Sequence, residues 1–74
     1  MNSKQKIREI LKKVFPLSVI PEDITSLKIG DIPDWDSLGN FHLLLAIEDA
    51  YKIRFSVDEM SQTQSIAQII QKIK

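Results

Sequence analysis

Apolar residues recur at helical spacing near both ends of the chain. The i, i+3, i+4, i+7 pattern predicts a first helix over residues 3–15, with an apolar face made of Ile7, Ile10, Leu11 and Val14. Pro16 ends this helix, because proline disfavours helical backbone in the residue before it. The same spacing predicts a final helix whose apolar face consists of Ile66, Ile69, Ile70 and Ile73. The start of this last helix can be capped by Ser61, Thr63 or Ser65.

A second helix is predicted over residues 37–51 or 37–52, around the apolar run at 43–47. Asp36 is a favourable N-cap for it. At about 100° per residue, the side that faces the core holds Leu43, Leu44, Ile47, Ala50 and Tyr51. Nearly opposite lies a second stripe, which consists of Leu38, Phe41 and Leu45. The charged and polar residues that border this second stripe are His42, Glu48, Asp49 and Lys52.

The second stripe has two interpretations. A helix that is apolar nearly all round can be the buried centre of a bundle. Alternatively the stripe is exposed and binds partners, as exposed apolar patches rimmed by charge often do. A chain of 74 residues has few elements that could cover both faces, and we therefore favour the exposed, partner-binding interpretation.

The segment between the first two helices, residues 16–36, is predicted to be a long loop, and loops of this length are commonly functional. Its expected anchors in the core are Ile20, Ile24, Leu27, Ile29 and Ile32. Residues 56–59 have the pattern of a capping box that opens one short helical turn. The prediction is therefore a single all-α domain over residues 1–74. It is a small four-helix bundle with three main helices, one short helix and a long loop between helices 1 and 2.

Composition and charge narrow the functional classes. The chain has no cysteine, which excludes disulfides and thiolate metal sites. No apolar stretch is long enough to span a bilayer and no signal peptide is evident, so we expect a cytoplasmic protein. Residues 4–13 hold five basic residues and one acidic residue, whereas residues 22–59 hold nine acidic and three basic residues. The acidic part argues against nucleic acid and for basic protein partners, while the basic first helix is equally consistent with a solvated face.

The sequence offers no local catalytic or metal-binding arrangement. His42, the only histidine, follows Ser37 by five residues and lies about 140° away around the helix, so it cannot act as the base of a nucleophilic serine. Asp31, Asp34 and Asp36 lack the glycine that a calcium loop needs at its sixth place. The two glycines do not form a phosphate-binding loop. We therefore expect a protein that is not an enzyme.

Asp36-Ser37-Leu38 at the head of a helix, followed by the residues at 43–49, resembles the acyl carrier protein family. The likeness extends over nearly the whole chain. It includes the amphipathic first helix, the long loop, the short third helix and the isoleucine-rich fourth helix. On its position alone, Ser37 would be an ordinary helix-start residue, because serine is common there. The helical frame and the chain length favour an attachment site instead.

The resemblance implies that Ser37 carries 4′-phosphopantetheine, which a separate phosphopantetheinyl transferase takes from coenzyme A. The thiol of this arm would hold acyl intermediates as thioesters. A helix N-terminus suits the phosphate, because its free N–H groups and its dipole attract anions. The other implied partners are an acyl- or aminoacyl-activating ligase and a downstream synthase or transferase, acting on a monomeric carrier.

The resemblance also implies two groups of site residues. Those expected to bind partner enzymes are Asp36, Leu38, Phe41, His42, Leu45, Glu48 and Asp49. A pocket that shelters the acyl chain would be lined by Leu44, Ile47, Phe55, Met60 and Ile69. For each of these five residues, ordinary core packing is the better single explanation.

The second helix departs from the usual pattern of carriers in fatty acid synthesis, which is crowded with acids. It offers only Glu48 and Asp49, while Gly39 and His42 occupy positions where acids are common. Charge should therefore steer partners less, and the second stripe should matter more. The pattern is closer to stand-alone carriers of secondary metabolism, cell-surface modification or aminoacyl transfer, such as D-alanyl carrier proteins. An acyl carrier of fatty acid or polyketide-like biosynthesis, an aminoacyl or peptidyl carrier, and an unmodified helical interaction module are the alternatives.

Overall fold

The computed structural model describes residues 3–73, and within that range it contains four helices and no strand. In chain order they are α1 (Ser3–Val14), α2 (Ser37–Tyr51), α3 (Val57–Gln62) and α4 (Ile66–Ile73). This is the predicted all-α architecture, with a short third helix and a long connection before α2. Of the helices in residues 3–73, none is both long enough and apolar enough to cross a membrane.

All four helices surround one apolar core, with α1 packed directly on α2. α1 contributes Ile7 and Leu11, and α4 contributes Ile66 and Ile69, all of them completely buried. α2 buries Gly39, Asn40, Leu43, Leu44 and Ile47. Complete burial of one leucine or isoleucine side chain contributes about 1.5–3 kcal/mol. A helix as short as α4 depends on such packing, because isolated helices of this length are marginal in water.

Phe15 and Trp35 fasten the two ends of the long loop to the core. Phe15 is buried and follows α1 immediately, so α1 ends one residue before the predicted boundary. The N–H of Phe15 still donates to the carbonyl of Leu11 at 2.8 Å. Its ring stacks on that of Trp35, with 6.3 Å between centroids and 29° between planes. Trp35 is completely buried, although the sequence pattern did not assign it to the core.

The rest of the loop is held by hydrogen bonds and by the predicted apolar anchors. Arg8 donates from Nε to the carbonyl of Pro21 at 2.9 Å and from Nη2 to that of Ile20 at 3.1 Å. Among the anchors, Ile20, Ile24 and Ile32 are buried, whereas Leu27 and Ile29 are partly buried.

A single antiparallel bridge between Lys28 and Ser65 ties the loop to the start of α4. Two hydrogen bonds make this bridge. The N–H of Ile29 donates to the carbonyl of Gln64 at 2.8 Å, and the N–H of Ile66 donates to the carbonyl of Leu27 at 3.0 Å.

The helix ends follow the local signals of the sequence. The hydroxyl of Ser56 and the carboxylate of Glu59 form the predicted capping box at the start of α3. Of the three candidate caps for α4, the structure uses Ser65, whose hydroxyl accepts the N–H of Gln68 at 3.2 Å. α2 ends at Tyr51, and its C-cap, Lys52, adopts the left-handed conformation with φ of 56°.

Gly39 allows the loop and α2 to approach closely. A Cβ atom at this position would overlap the backbone carbonyl oxygen of Asp34 and would lie 3.1 Å from the Phe15 ring. The carbonyl belongs to the backbone and cannot turn away as a flexible side chain can. This fold therefore has no space for a side chain at position 39.

We expect Gly39→Ala to destabilise the protein by about 1–3 kcal/mol, because the overlap forces the loop away from α2. Helix propensity alone would have the opposite effect, favouring alanine over glycine by about 1 kcal/mol. Urea denaturation measures the difference. His42→Ala, at an exposed position of the same helix, is the matched control and should change stability little. A stabilised Gly39→Ala protein would contradict the close approach.

Three carboxylates have a pKa lowered by hydrogen bonds. Glu59 accepts bonds from the ammonium of Lys72 at 2.8 Å and from the N–H of Ser56 at 2.9 Å, and both lower its pKa. The hydroxyl and N–H of Thr25 lower the pKa of Asp23, and the N–H and ammonium of Lys28 lower that of Asp31. A carboxylate whose pKa is lower in the folded chain stabilises the fold above its unfolded pKa. This contribution is lost as the pH falls through the folded pKa.

We expect the free energy of unfolding to decline on the acid side, below a pH of about 4, where carboxyl groups of the unfolded chain take up protons. Glu59→Gln should be less stable than the wild type at neutral pH, and its stability should depend less on acid, because it has one fewer carboxylate to protonate. Urea denaturation at a series of pH values measures both effects. Glu22→Gln removes an exposed carboxylate and should follow the wild-type profile. Identical profiles for Glu59→Gln and the wild type would refute this account.

Candidate functional site

Ser37 is the first residue of α2, and its side chain is exposed. The capping function is performed by the preceding residue: the carboxylate of Asp36 accepts the N–H of Gly39 at 2.8 Å. Within residues 3–73, the Ser37 hydroxyl makes no hydrogen bond to any other residue. A hydroxyl that does not cap its own helix and is accessible to solvent is available for chemistry with another molecule.

The backbone around Ser37 suits an anion. Asp36 satisfies two of the first N–H groups of α2, accepting that of Gly39 with its carboxylate and that of Asn40 with its carbonyl at 2.7 Å. The N–H groups of Ser37 and Leu38 have no acceptor among the described residues. These free donors and the positive end of the helix dipole are the features with which helices bind phosphate groups.

A cleft of about 370 Å³ adjoins Ser37, between Ile29 of the long loop, the start of α2, and α3 with the segment that follows it. Its lining is mainly apolar and consists of Ile29, Ser37, Asn40, Phe41, Val57, Met60, Ser61 and Gln64. Val57 is one of the most exposed apolar residues in the protein, and Phe41 is also exposed. Ser37 and the cleft are therefore continuous.

Asn40 is the one buried polar side chain among the described residues, and both ends of its amide are bonded. Its oxygen accepts the indole N–H of Trp35 at 2.9 Å, and its nitrogen donates to the carbonyl of Thr63 at 2.9 Å. The side chain thus joins the loop, α2 and the end of α3. Loss of either bond would leave a buried polar group unpaired, at a cost of about 1–3 kcal/mol.

The predicted acyl pocket does not correspond to the cleft. Leu44, Ile47, Phe55 and Ile69 are buried in the packed core, and of the five predicted residues only Met60 lines the cleft. The helical pattern could identify inward-facing residues, but it could not tell a filled core from an open space. The lining residues that the sequence analysis missed are Ile29, Asn40, Val57, Ser61 and Gln64.

The second stripe is exposed, with 65% of Leu38, 47% of Phe41 and 43% of Leu45 accessible to solvent. His42 and Asp49 are exposed beside it. Whether partners bind this surface remains a prediction.

Glu48, which is predicted to be a charge on the partner-binding surface, also makes a structural contact. Its side chain is half-buried, and its carboxylate accepts the N–H of Phe55 at 2.6 Å. Its carbonyl accepts the N–H groups of Lys52 and Ile53. Glu48 therefore fastens the turn that follows α2, a role that depends on a contact seven residues away and that helical position alone does not reveal.

The three aspartates before Ser37 serve separate structural purposes. The carboxylate of Asp31 accepts hydrogen bonds from the backbone N–H and the ammonium of Lys28. The carboxylate of Asp34 accepts a hydrogen bond from the hydroxyl of Ser18 at 3.1 Å. Asp36 caps α2. Within residues 3–73, no three His, Cys, Asp or Glu side chains are grouped so as to hold a metal ion.

Comparison of the chain with protein-family models, with curated proteins and with solved structures found no match. The candidate site is therefore defined by its geometry: an exposed serine hydroxyl, free helical N–H groups, an adjoining cleft and an exposed apolar stripe.

We expect Leu38→Glu to leave stability within about 0.5 kcal/mol of the wild type, because the side chain is mostly exposed and acids are favoured in the first turn of a helix. Leu44→Ala, on the opposite and buried side of α2, should cost about 2–5 kcal/mol. Urea denaturation of the two variants measures the contrast. If Leu38→Glu unfolds the protein, the stripe belongs to the core and cannot be a binding surface.

Proposed function

We propose that this protein is a carrier that holds acyl groups as thioesters on a 4′-phosphopantetheine arm attached to Ser37. The observation that carries the proposal is the division of roles at the start of α2. Asp36 caps the helix, and the neighbouring Ser37 hydroxyl is exposed and makes no hydrogen bond to residues 3–73. The resemblance of Asp36-Ser37-Leu38 in its helical frame to acyl carrier proteins points to the same residue.

The residues around Ser37 fit a phosphodiester. The free N–H groups of Ser37 and Leu38 can donate to its oxygens, and the helix dipole favours its negative charge. When bound, the arm supplies a thiol, which this cysteine-free chain lacks. The serine needs no base of its own, because a separate phosphopantetheinyl transferase would remove its proton. What the chain must provide is access to the hydroxyl, and the exposed position of Ser37 provides it.

The second stripe is the proposed surface for partner enzymes. Leu38, Phe41 and Leu45 continue from Ser37 along one side of α2, so an enzyme seated on them would have the arm at its edge. His42 and Asp49 border the stripe and can set the orientation of the complex. Glu48 stays among the predicted partner-binding residues, and its carboxylate also accepts the N–H of Phe55.

The proposal implies three kinds of partner, none of them a nucleic acid: the transferase, a ligase that activates and loads the cargo, and a downstream synthase or transferase. The carrier would act as a monomer in the cytoplasm, where coenzyme A is available. Its cargo would be an acyl group or, in the closest alternative, an aminoacyl or peptidyl group of the kind that D-alanyl carriers hold.

We expect the wild type to gain the mass of one phosphopantetheinyl group when it is incubated with coenzyme A, magnesium and a broad-specificity phosphopantetheinyl transferase. Ser37→Ala should fold with wild-type stability, since Asp36 remains the cap, and should gain nothing. Ser56→Ala is the matched control, because it removes a serine at another helix start and should leave modification at Ser37 intact. Intact-mass spectrometry reads the result, and an unmodified wild type would refute the carrier function.

The exposed second stripe also favours a second candidate, an unmodified module that binds a partner through its apolar surface. The two functions differ in what Ser37 contributes. A module keeps its binding when Ser37→Ala removes the hydroxyl and loses it in Leu38→Glu, whereas a carrier loses its cargo in Ser37→Ala.

A further inference from the structure

Two of the most exposed apolar side chains lie close together in the segment that follows α1. Leu17 is 93% and Val19 is 92% accessible to solvent, against 43–65% for the residues of the second stripe. Both belong to residues 16–19, which we call the loop tip. Side chains exposed to this degree protrude from the surface, and packing within the fold accounts for neither of them.

The loop tip is held firmly on both sides. The N–H of Ser18 donates to the carbonyl of the buried Phe15 at 3.1 Å, and its hydroxyl donates to the carboxylate of Asp34 at the same distance. After the tip, Ile20 is buried and its carbonyl accepts a hydrogen bond from Arg8. The backbone around Leu17 and Val19 is thus bonded to α1 and to the rest of the loop, so the two side chains are presented outward by a defined structure.

Exposed cations adjoin the loop tip. Lys12 and Lys13 lie in the last turn of α1, where basic residues also suit the helix dipole. Lys13 precedes Leu17 by four residues, and the turn at 15–18 continues the helical winding, so both lie on one side. Lys12 is 4.0 Å from Glu9, a weak pair between exposed side chains, and Lys13 makes no ion pair within residues 3–73.

We propose that the loop tip, together with Lys12 and Lys13, binds reversibly to the surface of an anionic lipid membrane. Leu17 and Val19 would enter the boundary between head groups and acyl chains, and the two ammonium groups would contact lipid phosphates. An apolar group and a basic group side by side are the two signals that membrane attachment combines.

The shape and the charge of this surface favour a membrane over an acidic protein. A protein partner would need a pocket fitted to two protruding side chains, whereas a fluid lipid surface accepts them without shape complementarity. The net charge of the chain is zero, so attraction to anionic lipid must come from this local surface. The cytoplasmic face of a membrane is the anionic one, in agreement with the expected location of the protein.

Membrane binding goes beyond the proposed carrier function and does not involve Ser37. It is therefore tested on the unmodified protein, and Ser37→Ala should bind vesicles as the wild type does. Failure of vesicle binding leaves the carrier function standing, and failure of modification at Ser37 leaves membrane binding standing.

Vesicle sedimentation measures the binding. We expect the wild type to sediment with vesicles made of equal parts of phosphatidylglycerol and phosphatidylcholine, and to remain in solution with vesicles of phosphatidylcholine alone. A high concentration of sodium chloride should weaken the binding, because salt screens the contribution of the lysines.

Two double variants separate the charged and the apolar contributions. Lys12→Gln with Lys13→Gln should lower the partition coefficient about 30-fold, since each lysine near an anionic surface contributes about fivefold. Leu17→Ser with Val19→Ser should lower it at least about tenfold. The matched controls are Arg54→Gln and Val57→Ser, which remove an exposed basic and an exposed apolar residue elsewhere and should bind as the wild type does. Circular dichroism checks that all variants fold.

Three results would overturn the proposal: no binding to either kind of vesicle, equal binding to both, or wild-type binding by the two double variants. Soluble poly-glutamate identifies the alternative occupant. Retention on poly-glutamate without binding to vesicles would assign the surface to an acidic protein instead. The comparison of the two kinds of vesicle uses only the wild type, so it decides the matter even if a variant fails to fold.

Discussion

The two hydrogen bonds of the Asn40 amide hold together the parts of the chain that form the site. Trp35 ends the long loop, Asn40 lies in the first turn of α2, and Thr63 terminates α3. This connection helps to set the distance between α2 and α3, whose separation creates the cleft. Apolar packing alone tolerates small displacements, whereas a buried amide with both ends bonded admits only one arrangement. The position of Ser37 at the edge of the cleft follows from it.

Close approach of the backbone adds a second constraint on the same region. Gly39 lets the carbonyl of Asp34 lie against α2, and the Phe15 ring occupies the space beside it. The start of α2 is therefore clamped between the loop and the core, so that Ser37 projects from a rigid support. The acidic residues that the loop brings to this region are engaged in the support, with Asp31, Asp34 and Asp36 each bound to its own neighbour.

Local signals in the sequence predicted most of the fold, because they depend on residues within one or two helical turns. The apolar spacing predicted α1 and α4, and Asp36 predicted the start of α2. The capping-box pattern of residues 56–59 predicted the short helix α3. The functional geometry depends on contacts between distant segments. Asn40 and Thr63 are 23 residues apart, and the bridge of Lys28 with Ser65 spans a still longer interval. Periodicity carries no information about such pairs, so Ser37 and the second stripe could be identified from the sequence, whereas the cleft and the bonds of Glu48 could not.

In the proposed carrier, separate residues perform capping and attachment at the start of α2, and this arrangement would uncouple folding from occupancy. Asp36 stabilises the helix whatever is bonded to the neighbouring hydroxyl. The empty, primed and loaded forms would then share one fold and nearly one stability, and a cell could hold a reserve of empty protein without losing it to unfolding or proteolysis. The supply of cargo, and not the stability of the protein, would then determine the fraction of the protein that is loaded.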